Sequence, residues 1–349
     1  MRLEPREDAA ALLTLTAPIA AVAAALIFCS GLILWTGENV FTAYGLLFKG
    51  GMGSRFAISE TLTRATPMIL TGLAAAIAFR AKLWNIGGEG QFYIGALTAT
   101  WLGTGIVTLP PYLMVPFLIL TGSIAGGLML LIPALLKNKL KVDEVVTTLL
   151  LNFIVLLFVN YLLEGPLKDP MSLGWPQAAA IIDEGVLPGI MAKSRVHLGL
   201  VLALLAAVVV WAIMRFTIWG YEIRAVGHNV DAAAFSGIKV NKTIVMTALI
   251  SGGLAGMAGV SEVAGTKGYL TLDLSPGFGY AGIAVAMLAA LHPLAVVPSA
   301  LFLAGIYVGA DSMSRALNVP TYIADVIVAA CVLSVLVSLM LTRFRIKWR

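Results

Sequence analysis

Ten apolar runs, most of them long enough to cross a bilayer, occupy the greater part of this 349-residue chain. They fall at about 11–35, 61–79, 90–109, 112–136, 145–163, 197–216, 243–264, 278–291, 294–311 and 321–342. A helical crossing takes roughly 20 apolar residues. With 60% hydrophobic and only 12% charged residues, a soluble domain could not hide its own apolar surface. The pattern therefore predicts an all-α polytopic membrane protein of about ten transmembrane helices, built as a single membrane domain over residues 1–349. The eighth run is short and ends at His292-Pro293, where a broken or tilted helix is expected. The first run is too long for the core of a signal peptide and reads as a retained span.

Charge placement sets a direction. With the N-terminus inside, fifteen Lys and Arg residues fall on inner segments, Arg6, Arg80, Lys82, Lys137 and Arg349 among them, and eight on outer segments. That asymmetry puts both termini in the cytoplasm. The outer stretches 37–60 and 165–195 carry Gly, Pro, Trp and mixed charge, which suits loops or short surface helices. Cys29 and Cys331 lie within predicted spans and have no metal-ligand company, so neither a disulfide framework nor a metal site is expected. The net charge of +5 is scattered rather than gathered, which argues against nucleic acid.

Between the sixth and seventh runs lies a polar, helix-prone stretch, Tyr221–Ile238. Its position makes it cytoplasmic, and it holds no catalytic motif. An amphipathic insert of this kind reads as a docking element for a soluble partner. Glu222, Arg224, Asn229 and Asp231 can fix its orientation, His228 reads as a surface contact, and Gly227 and Gly237 allow the chain to turn at its edges.

Two further stretches combine polarity with membrane depth. In Phe79–Gln91, three glycines within four positions interrupt a helix and permit close backbone approach, beside Asn85, Glu89 and Gln91. Interrupted helices are tolerated in membranes only when buried in protein or lining an aqueous cavity. The stretch is read either as part of a pathway or gate, or as a cytoplasmic turn capped by its polar groups. In Lys141–Asn152, Glu144, Thr148 and Asn152 recur every four residues on one helix face. Such a stripe must face the bundle interior, where interhelical hydrogen bonding and solute contact both account for it. The small-residue runs 122–127 and 251–259 read as helix-packing features. Glu262, Asp273, Asp311, Asp325, His197 and His292 lie near span ends, where contact with water accounts for them.

No Gly-x-x-x-x-Gly-Lys-Ser/Thr phosphate loop occurs. If a nucleotide drives transport through this chain, another subunit must bind it.

The stretch Trp84-Asn-Ile-Gly-Gly-Glu-Gly-Gln91, followed by Phe92-Tyr-Ile-Gly95, resembles a motif of the permease subunits of bacterial ABC importers for simple sugars, nucleosides and branched-chain amino acids. Asp143–Asn152 is similar to the corresponding segment of the nucleoside branch. Arg224–Gly237 resembles the coupling-helix motif shared across the group, with His228 where small or polar residues are usual. The resemblance covers about residues 55–340. It implies a type II importer-like transmembrane subunit in a bacterial inner membrane, importing nucleosides. Asn85, Glu89, Gln91, Phe92, Thr148 and Asn152 would line the substrate pathway, and residues 221–238 would form the coupling helix. It also implies a second permease subunit forming a heterodimer, cytoplasmic ATPases that bind ATP and Mg, and an extracytoplasmic substrate-binding lipoprotein. No cofactor and no enzymatic site are expected on this chain. A sugar permease of the same group is the nearest alternative. An ion-coupled secondary transporter is the alternative from another class, with Glu89 as its one candidate coupling carboxylate.

Overall fold

The computed structural model describes residues 2–5, 11–317 and 320–347. Arg6 and Arg349, counted in the charge asymmetry, lie outside them. Thirteen helices follow one another in the described residues: α1 (Ala11–Trp35), α2 (Val40–Met52), α3 (Arg55–Arg80), α4 (Gly88–Gly103), α5 (Pro111–Leu140), α6 (Glu144–Glu164), α7 (Gly199–Phe216), α8 (Ile218–His228), α9 (Val230–Phe235), α10 (Val240–Glu262), α11 (Phe278–Leu288), α12 (Pro293–Leu317) and α13 (Thr321–Arg343). A short antiparallel ladder joins β1 (Arg2–Pro5) to β2 (Phe344–Lys347).

Each of the ten apolar runs falls on a helix, but among the described residues six helices are long and apolar enough to cross a membrane. These are α3, α5, α6, α7, α10 with its continuation to Lys267, and α12. Counting Ala20–Trp35 and Val40–Met52, which meet at 118°, as one broken span raises the number to seven. At α4 and α11 the shorter helices have local causes. The glycines at 87, 88 and 90 delay the start of α4, leaving it 16 residues. The eighth run makes an 11-residue α11, ended by left-handed backbone at Ala290 and Leu291 before α12 restarts at Pro293, a residue suited to a helix's first turn. The stretch 37–60, read as loops or short surface helices, contains α2, capped by Asn39, whose side chain accepts from Phe41 N–H at 2.9 Å and Thr42 N–H at 3.2 Å.

The chain divides into two compact units, residues 1–61 with 301–349 and residues 62–300. In the first, α1 packs against α13, Cys29 and Cys331 are buried free thiols, and Thr61 Oγ1 donates to the Gly51 carbonyl at 2.8 Å.

The second unit is organised around α10, which packs against α4 and α5. The contact is backbone on backbone. A Cβ added to Gly256 would stand 2.3 Å from the Gly122 carbonyl, one on Gly252 2.3 Å from the Gly126 carbonyl, and one on Gly259 1.9 Å from the Phe92 carbonyl. Lipid gives apolar helices no hydrophobic reason to associate, so close van der Waals approach of small residues supplies the attraction. The runs 122–127 and 251–259 meet each other as packing features. Beyond α10, a π turn at Val263–Lys267 leads into a loop on which residues 178–187 lie, Ala178 N–H donating to the Leu270 carbonyl and Leu187 N–H to that of Ala264.

Gly256→Val should therefore separate α10 from α5 and destabilise the purified protein by ~3 kcal/mol or more, the upper end for overpacking a filled site. Gly45→Val on exposed α2, where a Cβ meets nothing within 4 Å, should leave thermal melting in detergent within a degree or two.

Candidate membrane gate and docking segment

Between α3 and α4 the chain leaves the helical path for residues 81–87, and its backbone donors need partners other than the usual helical carbonyls. The first three N–H groups fold back: Ala81 and Leu83 donate to Ala78, and Lys82 to Phe79. The later ones are met by the polar stripe of α6. Trp84 N–H donates to Glu144 Oε1 at 3.2 Å, Ile86 N–H to Thr148 Oγ1 at 3.3 Å, and Gly90 N–H to Asn152 Oδ1 at 2.8 Å. Asn152 Nδ2 returns a bond to the Ile86 carbonyl at 2.9 Å. The four-residue spacing places three acceptors on one helix face, one turn apart. Those acceptors form a ladder for the interrupted backbone.

Asn85 and Gln91 face each other across the break. Each amide nitrogen donates to the other's oxygen at 2.9 Å, and Asn85 also reaches Ser251 Oγ at 3.2 Å on α10. Ser251 in turn donates to the Ala74 carbonyl at 2.7 Å. Glu89 points across α4 to the start of α11, where its carboxylate accepts the Gly279 N–H at 2.7 Å. A negative group at a helix N-terminus meets unpaired N–H groups and the positive end of the dipole. Phe92 lies 6.0 Å, centroid to centroid, from Phe278. All six residues expected along a pathway are buried in this structure, and the polar ones are bonded to the protein's own groups. Ser251 and Tyr280, whose hydroxyl accepts from Asn152 at 3.2 Å, belong to the same network. Tyr280 did not stand out in the sequence, and Ser251 stood only as the first residue of a helix-packing run.

The docking stretch is two helices rather than one. Asn229 ends α8 in extended backbone and caps α9, its side chain accepting from Ala232 N–H at 3.0 Å. Gly237 takes φ +86° and turns the chain, as expected. Gly227 does not turn it. It sits within α8, where a Cβ would fall 1.8 Å from the Arg80 carbonyl, so its role is close approach to the end of α3. Arg224 donates to the Met214 carbonyl, and Glu222 accepts from Thr243 Oγ1 at 3.3 Å; both fix α8 to its neighbours. Asp231 and His228 are exposed. The inner face of the pair, Val226 and Ala233, joins a buried cluster with Phe79, Leu83, Leu130, Ala134 and Ile244. The outer face shows Phe235, 94% exposed. Phe235 was not singled out from the sequence.

The described residues hold no group of three or more His, Cys, Asp or Glu side chains placed to bind a metal ion.

Comparison with known proteins gives consistent results. The family model described as branched-chain amino acid transport system / permease component matches residues 57–343. The guanosine ABC transporter permease protein NupP of Bacillus subtilis is 38% identical, over 92% of each chain. The glucose ABC transporter permease protein TsgB13 of Haloferax volcanii is 33% identical over 99% of this chain and 93% of its own. The nucleoside ABC transporter permease protein NupB of Lactococcus lactis is 30% identical over 90% and 88%. Permease proteins of one system occur in pairs among these relatives, since NupQ of Bacillus subtilis also matches, at 29% over 70% of this chain. No solved structure matches the chain.

Asn152→Leu removes an acceptor and a donor together and strands the Gly90 N–H and the Ile86 carbonyl, each loss costing ~1–3 kcal/mol. The variant should insert in the membrane yet melt earlier and transport less. Thr148→Val, which strands only the Ile86 N–H, should lose about half as much stability in the same melting series.

Proposed function

Because this chain belongs to the branched-chain amino acid transport system permease component family, we propose that it is the transmembrane subunit of an ABC importer for nucleosides, worked by separate ATPases. One observation carries the reading: α8 and α9 are held to the core along their inner face while Phe235 projects from the outer one. That is the form of a handle that a soluble protein can grip and move as a rigid body. Hot spots in protein interfaces are typically single large side chains seated in a partner's pocket, and Phe235 with Asp231 beside it suits that role. The ATP and Mg would be bound by the partner ATPases.

The pathway in this reading runs past Asn85, Glu89, Gln91, Phe92, Thr148 and Asn152. Their mutual bonds close the way in the present conformation, and opening exchanges those bonds for contacts with solute and water. Amides and hydroxyls near aromatic rings suit a neutral, ring-bearing solute. The NupP and NupB names support nucleosides for this chain. The TsgB13 name, on a relative covering nearly the whole sequence, supports a second reading, a sugar substrate. Both termini lie in the cytoplasm by the charge asymmetry, with a second permease subunit completing the membrane part and a substrate-binding lipoprotein delivering solute outside.

Phe235→Asp should cut recovery of the ATPase with the purified permease by about tenfold or more, the scale of a hot-spot loss, and leave the permease's own melting temperature unchanged; full recovery would reject the docking role. In cells carrying the whole system, labelled guanosine uptake should be displaced by excess adenosine or uridine and left intact by excess ribose or glucose. Displacement by the sugars alone would favour the second reading.

A further inference from the structure

The gripped segment and the closed break lie at opposite ends of an unbroken set of contacts. The carbonyl of His228, the last residue of α8, accepts from Lys82 Nζ at 3.4 Å. The carbonyl of Lys82 accepts from Lys137 Nζ at 2.8 Å. Lys137 pairs in addition with the carboxylate of Glu144, which accepts Trp84 N–H at 3.2 Å and so begins the α6 ladder. Alongside, the Arg80 carbonyl abuts Gly227, and Arg80 Nε donates to the Leu291 carbonyl at 2.9 Å. The residues that α8 touches are thus bonded to α5 and to the turn before α12, and through Lys137 to α6.

Of the six described non-glycine residues with left-handed backbone, three lie along this route. Lys82 (φ 53°), Ala290 (φ 48°) and Leu291 (φ 60°) hold left-handed backbone without being glycine. Such conformations persist only where the surroundings hold them, and they cluster at elements that switch. A plain clip across the α5–α6 turn would explain the Lys137–Glu144 pair. It does not explain the second bond of Lys137, to the carbonyl of the residue that contacts α8. An ammonium with three donors can hold a carbonyl and a carboxylate at once.

We propose that Lys137, supported by Glu144, is a positioning residue that passes displacement of α8 and α9 to the backbone of residues 84–90. The inference rests on the ABC permease reading and names the internal route by which that motion reaches the gate. When α8 moves against Arg80 and Lys82, Lys137 carries Glu144 with the Lys82 carbonyl, and the N–H groups of Trp84, Ile86 and Gly90 shift together along the ladder.

The experiment compares wild type, Lys137→Met, Lys137→Arg and Glu144→Gln in the complete importer in proteoliposomes, with labelled guanosine as the probe. Lys137→Met, which removes both bonds, should lower ATP-driven uptake about tenfold while ATP hydrolysis by the same complex stays within about twofold. Lys137→Arg, which keeps donors for both acceptors, should restore most of the uptake, and Glu144→Gln should fall between. Uptake and hydrolysis declining in the same proportion, uptake by Lys137→Met equal to wild type, or no rescue by Lys137→Arg would overturn the relay. Failure of Lys137→Met to purify in the complex, with Glu144→Gln assembling and transporting normally, would also overturn it, by making Lys137 a folding residue. A wild-type complex with no ATP-driven uptake would instead remove the transport reading beneath it.

Discussion

A backbone that abandons helical geometry beside a membrane span must find partners for every N–H and C=O it frees, because lipid offers none and each orphan costs several kcal/mol. Residues 81–90 face that requirement, and much of the second unit can be read as the answer. Glu144, Thr148 and Asn152 stand one helical turn apart because the bare donors of Trp84, Ile86 and Gly90 must each be met. Asn85 Oδ1 accepts the Gly87 N–H at 2.9 Å, and its amide pairs with that of Gln91. Glu89 serves the start of α11, whose first N–H groups have no helical carbonyl to bond and are met by Ser275 Oγ and by the Glu89 carboxylate.

Hydrogen bonds of this sort are exchangeable, whereas the glycine contacts of α10 with α4 and α5 are not. Amides and hydroxyls can trade a protein partner for water or solute at small net cost, each bond contributing about 1 kcal/mol. Backbones in van der Waals contact have no room for an intermediate arrangement. The unit thus combines a rigid centre, built from Gly122, Gly126, Gly252, Gly256 and Gly259, with a polar seam that can rearrange beside it. Alternating access needs both, a fixed body and a part whose bonds differ between states. Helices α8 and α9 follow the same division, buried on the side of Val226 and Ala233 and open on the side of Phe235.

Particular residues show why some of this was legible in the sequence. The stripe of Glu144, Thr148 and Asn152 announced itself because three polar side chains at a spacing of four cannot lie in hydrocarbon; what they bond was invisible, since the acceptors' partners are main-chain groups some sixty positions earlier. The glycines at 122–127 and 251–259 read as packing surfaces, and each run proved to be the other's partner. Gly227 was read as a place where the chain turns, because glycine permits both turning and close approach, and only the Arg80 carbonyl beside it decides between them. Two of the ten expected crossings, those at α4 and α11, fall short as helices, because hydropathy sums composition over a window and registers neither the late start of α4 nor the early end of α11.

The sequence by itself determined the helical membrane class, the family, a break within residues 79–91 and the polar insert at 221–238, since each is a matter of composition or of local pattern along one segment. Tertiary structure alone decided which polar groups satisfy which backbone, that Asn229 divides the insert in two, that Phe235 is exposed, and that Lys137 bonds both the Lys82 carbonyl and Glu144. The physical reason is range. Hydrophobic periodicity and capping act within a few residues, whereas hydrogen-bond partners and close contacts are set by helices that meet in space after long separations in the chain.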